Sequence, residues 1–417
     1  MISGGRAPCI RVLAVDHTAG VLPFRKKFAA IAAHPEIELT VLAPERWVEN
    51  YRVVEADSKK REREDRHEYR FVTGSVGWAG YENRAFFRSG LGRTIRRARP
   101  HVLHLWEEPF SVITLQALSL AAVWAPRALP IFFSSDNLSR GFRYAYRPSA
   151  FYAGVERFAH RRCVAGTAVS DEVADVLRDK GFSKPIEVIP HGVELTDYPA
   201  DPRSGRGEMG RRADPDEARA RLGLDPPIVA FLGRLLHQKG VDLLIRAVAR
   251  IERPRPSLAI VGEGPERDSL ERLAAEVGIL DRTRFLPLVP HERVPELLAA
   301  IDILVLPSRT LPKLKEQFGR VLIEGMAAGC VTIGSSSGAI PGVLANGGLI
   351  FEEDNVESLR GALTRALGER ALVEELRIEG RMRVREHYAW DAIAKQIVAF
   401  YGRILEGRAH RGGSATA

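Results

Sequence analysis

Two carboxylates stand eight positions apart in the run Glu316-Gln317-Phe318-Gly319-Arg320-Val321-Leu322-Ile323-Glu324. Glu316 reads as a loop residue, and Glu324 lies one to two turns inside the helix that follows the Phe318-Gly319 turn. Carboxylates accept hydrogen bonds and suit vicinal hydroxyls, such as those of a ribose or a hexose. The first N–H groups of the helix, near Phe318, Gly319 and Arg320, have no intrahelical acceptor and are available to an anion or a hydroxyl. A second segment, Gly233-Arg234-Leu235-Leu236-His237-Gln238-Lys239-Gly240, supplies two cations. A diphosphate gathers charge as its bond to a sugar breaks, so Arg234 and Lys239 would stabilise that transition state more than the ground state. Each charge-assisted hydrogen bond is worth about 1.5–3 kcal/mol. A third segment, Val261-Gly262-Glu263-Gly264-Pro265, is a glycine-rich turn after an apolar run, and Ser335 to Gly342 is a loop of small residues. Each segment also has a plainer reading: an exposed basic loop, a common Gly-Pro turn, or an amphipathic helix with solvated glutamates. The apolar company of Phe318, Val321, Leu322 and Ile323 argues against the last.

The elements that carry these segments alternate in type. Apolar runs at 10–15, 39–43, 101–106, 130–134, 165–170 and 187–190 read as strands, with helical patterns at about 24–33, 111–124 and 171–180. After residue 194 the periodicity fades, and Asp201 to Asp216 has the Gly, Arg, Asp and Pro content of a surface linker. Strands resume at 228–232, 257–261, 284–288, 301–306 and 331–334, and about 357–405 reads as helical. Such alternation predicts parallel sheets. The expected organisation is an α/β domain over 1–190, a hinge and linker over 191–225, a second α/β domain over 226–385, a helix over 386–410 that packs back on the first domain, and a disordered tail over 411–417. Sites in open α/β domains form at the carboxyl ends of strands. In the first half those ends carry His17, His104, Glu107, Glu108, Asp136 and Asn137. For His104 a structural role is the plainer reading, as it is for His191 at the hinge.

At 417 residues the chain is too long for one core. Its hydrophobic fraction of 45% and charged fraction of 27% are those of a globular protein. There is no apolar run long enough to span a bilayer and no basic-then-apolar leader at the N-terminus. Cys9, Cys163 and Cys330 lie far apart in apolar stretches, so buried reduced thiols and a cytoplasmic address are expected. The net charge of +8 fits a solvated basic surface or attraction to an anionic membrane. Nucleic acid is disfavoured, because no recognition motif for it is present.

The order of these segments resembles glycosyltransferase family 4. The matching pieces are Gly233-Arg234…Lys239-Gly240, Val261-Gly262-Glu263-Gly264-Pro265, Glu316-Gln317-Phe318-Gly319…Glu324 and Gly338-Ala339-Ile340-Pro341, with Val188-Ile189-Pro190-His191-Gly192-Val193 at the hinge. The resemblance is strong from about 185 to 350. It implies the GT-B fold, in which two Rossmann-like doubly wound domains face each other across a cleft. It also implies a retaining transferase that uses a nucleotide-diphosphate sugar with no bound metal and no further cofactor. Arg234, Lys239 and Glu316 would then form the catalytic set, the cations on the diphosphate and Glu316 on the transferred sugar. Glu324 would hold the ribose. The donor site would be completed by Gly233, Gly262, Gly264, Phe318, Gly319, Arg320 and Val321, with the Val289-Pro290-His291 turn near the base. Two departures stand out. Asp16-His17-Thr18-Ala19-Gly20 replaces a Gly-Gly pair common in relatives, and Gly342 stands where many have glutamate.

A hydroxyl acceptor, free or lipid-linked, would meet the first domain at His17, His104, Glu107, Glu108 and Asn137. The basic clusters Arg25-Lys26-Lys27 and Arg93…Arg96-Arg97…Arg99 suggest peripheral attachment to the inner membrane face, with ordinary exposed helices as the plainer reading. Two other functions fit the same nucleotide-sugar site: a 2-epimerase of this architecture, and a catalytically silent sugar-nucleotide-binding partner.

Overall fold

The structure is a computed structural model that describes residues 9–49, 52–56, 69–139, 141, 143–144, 148–198 and 215–413. The chain forms two compact units, Met1–Pro190 with Ile393–Ala417, and His191–Ala392. In the first unit, strands β1 (Ile10–Val15), β2 (Ile37–Pro44), β3 (Arg70–Gly74), β4 (Val102–Leu105), β5 (Leu129–Ser134), β6 (Ala165–Ala168) and β7 (Ile186–Val188) form one sheet. Its order is β7-β6-β5-β4-β1-β2-β3, and every pairing is parallel. In the second unit, β8 (Ile228–Leu232), β9 (Ser257–Val261), β10 (Thr283–Leu286), β11 (Ile303–Leu306), β12 (Val331–Ser335) and β13 (Leu349–Phe351) form a parallel sheet of order β10-β9-β8-β11-β12-β13.

Central strands such as Ile228–Leu232 and Ile303–Leu306 are unbroken apolar runs because helices cover both faces of a parallel sheet. All of their residues are buried. The helices Val112–Trp124 and Asp171–Asp179 start where Ser111 and Ser170 cap them, each side chain accepting a backbone N–H of the first turn. Asp302, read from sequence as part of a strand, instead precedes β11. Its carboxylate accepts from the Ile228 N–H at 2.8 Å and from Arg219 at 2.9 Å.

Several elements escape the sequence pattern. β3 is a part-exposed edge strand, the hairpin Arg46–Glu49/Arg52–Glu55 has strands of only four residues, half of them charged, and β13 has only three residues. None carries enough apolar periodicity to stand out. Residues 199–214, which hold most of the Asp201–Asp216 segment read as a surface linker, lie outside the described residues, and Pro215–Leu222 is a helix. The last helix, Trp390–Gly413, enters the segment read as a disordered tail, and residues 414–417 lie outside the described residues. From Ile393 onward this helix belongs with the first unit. Gln396 donates to the Val188 carbonyl at 2.9 Å, and Arg403 pairs with Glu187 at 2.7 Å.

The expectation of three buried thiols fails for Cys9, which is exposed just ahead of β1. Cys163 and Cys330 are buried, and burial pushes both thiols up to about 12. No described helix is long and apolar enough to cross a membrane.

Candidate functional site

Both sheets reverse their order beside their first strand. β1 lies between β2 and β4, and β8 lies between β9 and β11. At such a switch point the loops leaving two adjacent strands diverge to opposite faces and open a crevice at the carboxyl ends. In the second unit the loops after β8 and β11 carry Gly233–Gly240 and Pro307–Gly319.

These two loops are locked together. Gly240 adopts φ +63°, and a Cβ there would sit 2.0 Å from the Pro307 carbonyl oxygen. The Arg309 N–H donates to the Gln238 carbonyl at 2.8 Å. Arg309 is buried, and its guanidinium holds the His237 carbonyl at 3.2 Å and pairs with Asp242 at 3.1 Å. This close fit brings the Lys239 ammonium to 2.6 Å from Glu316 Oε2. The Ser308 hydroxyl donates to the same oxygen, also at 2.6 Å. Glu316 is only 8% exposed, so its charge is held by a cation and a hydroxyl inside the crevice wall. Arg234, on the same β8 loop, is exposed, and its side chain makes no hydrogen bond or ion pair among the described residues.

Two of the glycines read as donor contacts, Gly262 and Gly264, pack against the neighbouring loop. A Cβ on Gly262 would sit 1.8 Å from the Gly233 carbonyl oxygen, and one on Gly264 would sit 2.3 Å from that of Leu235. The β9 loop lies flat against the β8 loop, and the Leu235 N–H donates to the Glu263 carbonyl at 2.9 Å. These glycines therefore shape the loop that presents Arg234.

A second cluster forms at the helix Arg320–Ala328, which Gly319 opens with φ +82°. Glu324 is 5% exposed, with Arg320 at 3.6 Å and His291 at 3.8 Å. Burial raises the Glu324 pKa, and Arg320 partly opposes the rise. The Pro290–His291 turn thus stands beside Glu324, and Val321 is half-buried in the first turn of the helix. Phe318 is buried, edge-on to His191 at 5.2 Å and to Tyr388 at 5.8 Å, so its ring and that of His191 are packing groups.

In the first unit the switch point joins the loops after β1 and β4. Glu107 accepts the His17 backbone N–H and its ring Nδ1, both at 2.9 Å. Burial opposes charge on His17, but the Glu107 carboxylate outweighs it and raises the imidazole to about 9. Glu108 accepts from the Ser134 hydroxyl and from the N–H and hydroxyl of Ser135, each at 2.7 Å. Burial, reinforced by nearby Asp136, lifts Glu108 to about 7. Asn137 is buried and donates to Glu172 at 3.0 Å.

Two expectations fail in this unit. His104 is 0% exposed, bonded to the Tyr401 hydroxyl at 2.8 Å and stacked on Trp106 at 4.5 Å, so it is a core group and not an acceptor contact. Burial holds its pKa down at about 3. In the Arg25-Lys26-Lys27 run, Arg25 and Lys27 are buried. Arg25 donates to the Ala19 carbonyl at 2.8 Å and lies 3.9 Å over Phe71, and Lys27 pairs with Asp16 at 2.5 Å, so they brace the β1 loop instead of facing a membrane. Sequence reading also missed Ser308 and Arg309. Their only signal is position, directly after the apolar run of β11.

Two parallel sheets, each reversing at a switch point with polar residues on the diverging loops, place the chain in the class of doubly wound α/β proteins with the GT-B fold. The Anabaena protein HepE, solved with UDP and glucose, has this fold at a TM-score of 0.66, with 17% identity over 94% of this chain and 99% of that one. Two family models match in succession, Glycosyltransferase Family 4 over residues 33–197 and Glycosyl transferases group 1 over 214–383. The chain belongs to the group 1, family 4 glycosyltransferases. It is 33% identical over 261 residues to D-inositol 3-phosphate glycosyltransferase of Nocardia farcinica, a match covering 58% of this chain and 53% of that protein. It is 30% identical over 257 residues to GDP-mannose-dependent alpha-(1-6)-phosphatidylinositol monomannoside mannosyltransferase of Mycobacterium tuberculosis, covering 59% and 64%. The chain spans about half the length of the first curated relatives it matches.

Proposed function

We propose that this protein transfers a sugar from a nucleotide-diphosphate sugar to a hydroxyl acceptor, with retention of configuration and without a metal. The observation that carries the proposal is the Lys239–Glu316–Ser308 cluster on the loops of the second unit's switch point, with uncommitted Arg234 on the same β8 loop. In this reading Arg234 and Lys239 take the diphosphate. Glu316, already gripped by Lys239, accepts from hydroxyls of the transferred sugar, and Glu324 accepts from the ribose. Backbone from Phe318 to Val321 completes the donor contact, and the Pro290–His291 turn flanks the base. The sugar C1–phosphate oxygen bond breaks as the acceptor oxygen bonds to C1 on the same face. The departing phosphate takes the acceptor proton, so no protein nucleophile is required.

On the first unit, His17, Glu107, Glu108 and Asn137 are the acceptor-side groups of this reading. The names of the two relatives point to a phosphorylated polyol or a glycolipid as acceptor class, which suits cell-envelope polysaccharide or glycolipid synthesis at the cytoplasmic face of a membrane.

The test is incubation of the purified protein with a panel of UDP- and GDP-sugars, in EDTA, with and without inositol phosphate or phosphatidylinositol glycolipids. Release of nucleoside diphosphate, with an acceptor product whose anomeric configuration matches the donor, supports the proposal. A new epimer of the donor sugar would make it an epimerase, and binding with no turnover a silent partner.

A further inference from the structure

A cavity of about 170 Å³ lies on the first unit between the edge strand β3 and the helix Leu91–Ala98. Its lining includes Arg70, Arg93, Arg97, Thr40, Thr94 and Gly90. None of these residues belongs to the sites described above.

The three arginines are exposed, and among the described residues none of their side chains makes a hydrogen bond or an ion pair. Arg93 and Arg97 are four apart on one helix and share a face, where like charges repel and destabilise the helix. Leu91 to Arg99 contains no acidic residue to offset them. Arg96 is occupied differently, lying 5.5 Å over the Trp124 ring. Thr40, which is buried, adds a hydroxyl to the lining. Gly90, also in the lining, is the N-cap of the helix and provides no side-chain cap. Guanidinium groups bind phosphate oxygens through paired N–H donors, which makes such a cluster suited to that chemistry. The volume is below the roughly 300–1,000 Å³ of sites that enclose whole small molecules. It therefore suits one charged group and not an entire nucleotide sugar.

We propose that this cavity binds a phosphoryl group, either free phosphate or the phosphate of a lipid headgroup. The proposal does not depend on the transferase reading. Its test is the melting temperature during titration with inorganic phosphate at constant ionic strength, for the parent protein, Arg93→Ala/Arg97→Ala and Arg234→Ala. The expected result is a saturable rise in the parent and in Arg234→Ala, displaced at least tenfold to higher phosphate in the double variant. No rise in the parent, an equal rise in the double variant, or a rise lost only in Arg234→Ala would overturn it. The double variant's melting temperature in chloride alone verifies that it folds. Co-sedimentation with phosphatidylcholine vesicles containing phosphatidylglycerol separates the sources. Binding lost in the double variant supports a lipid headgroup, and a phosphate response without vesicle binding supports a soluble phosphorylated ligand.

Discussion

Lys239 and Glu316 are 77 residues apart in sequence, yet the ammonium of one lies 2.6 Å from the carboxylate of the other. They meet because β8 and β11 are neighbours in the sheet although β9 and β10 intervene in the chain. In the proposed diphosphate site, one of the two cations is thus already committed to a carboxylate. The pair also fixes the Glu316 carboxylate, together with the hydroxyl of Ser308.

The two cations of the β8 loop should therefore respond differently to removal. Arg234→Ala and Lys239→Ala are each expected to lower turnover tenfold to a thousandfold, about 1.4–4 kcal/mol of barrier. Only Lys239→Ala should also lower stability, by about 1–3 kcal/mol, because it strands a buried carboxylate. Steady-state kinetics together with denaturant unfolding separates the two. Unchanged turnover in both variants would refute the diphosphate role.

Glu324→Ala should chiefly raise the KM for the donor, since a ribose contact is equal in the ground and transition states. A loss confined to kcat would contradict this assignment.

Gly338 should be intolerant and Gly342 permissive. Gly338 has φ +56°, and a Cβ there would sit 2.0 Å from the Glu316 carbonyl oxygen, whereas a Cβ on Gly342 would meet nothing within 4 Å. Gly338→Ala is expected to destabilise by about 1–3 kcal/mol and to disturb Glu316, with Gly342→Ala within about 0.5 kcal/mol of the parent. Thermal melts and turnover of the two variants give the comparison.

The His17–Glu107 pair should make stability fall on the alkaline side. The folded pKa of His17, about 9, lies above the ordinary histidine value of 6.5, so protonation favours the native state. That contribution is complete below about pH 6.5 and is lost as pH rises through 9, an effect on the order of 3 kcal/mol. NMR titration of the imidazole checks the value. Glu107→Gln should return it to about 6.5 or lower, because burial then acts without its counter-charge.

Lys180 bridges two buried acids of the first unit, Glu156 at 3.1 Å and Asp136 at 3.5 Å, with its own side chain 2% exposed. Lys180→Met should destabilise by about 3–5 kcal/mol, since it removes the buried cation that the two carboxylates share. A melt unchanged from that of the parent would refute a stabilising role for Lys180.

How much of this was legible in the chain follows from what each segment depends on. Runs such as Ile228–Leu232 and Ile303–Leu306 announce buried parallel strands because both faces are covered and every position is apolar. The loops carrying Arg234, Lys239, Glu316 and Glu324 follow such strands or open a helix, so their place at strand ends could be read directly. β3 and β13 could not, being an edge strand and a three-residue strand with too little periodicity. His104 had the residue type of a site group, but its environment, sealed between Trp106 and Tyr401, comes in part from a helix 297 positions away.

The amino-acid sequence by itself determined the α/β alternation, the two sheets and the residue types at their carboxyl ends, because local periodicity and turn chemistry are short-range properties. Only the tertiary structure decided which of those residues meet. Strand order joined Lys239 to Glu316 and His17 to Glu107, and loop packing showed that Gly262 and Gly264 serve the neighbouring backbone. Burial turned Arg25 and Lys27 inward while leaving Arg93 and Arg97 to solvent. Pairing and burial depend on contacts between distant segments, and no window of sequence contains both partners.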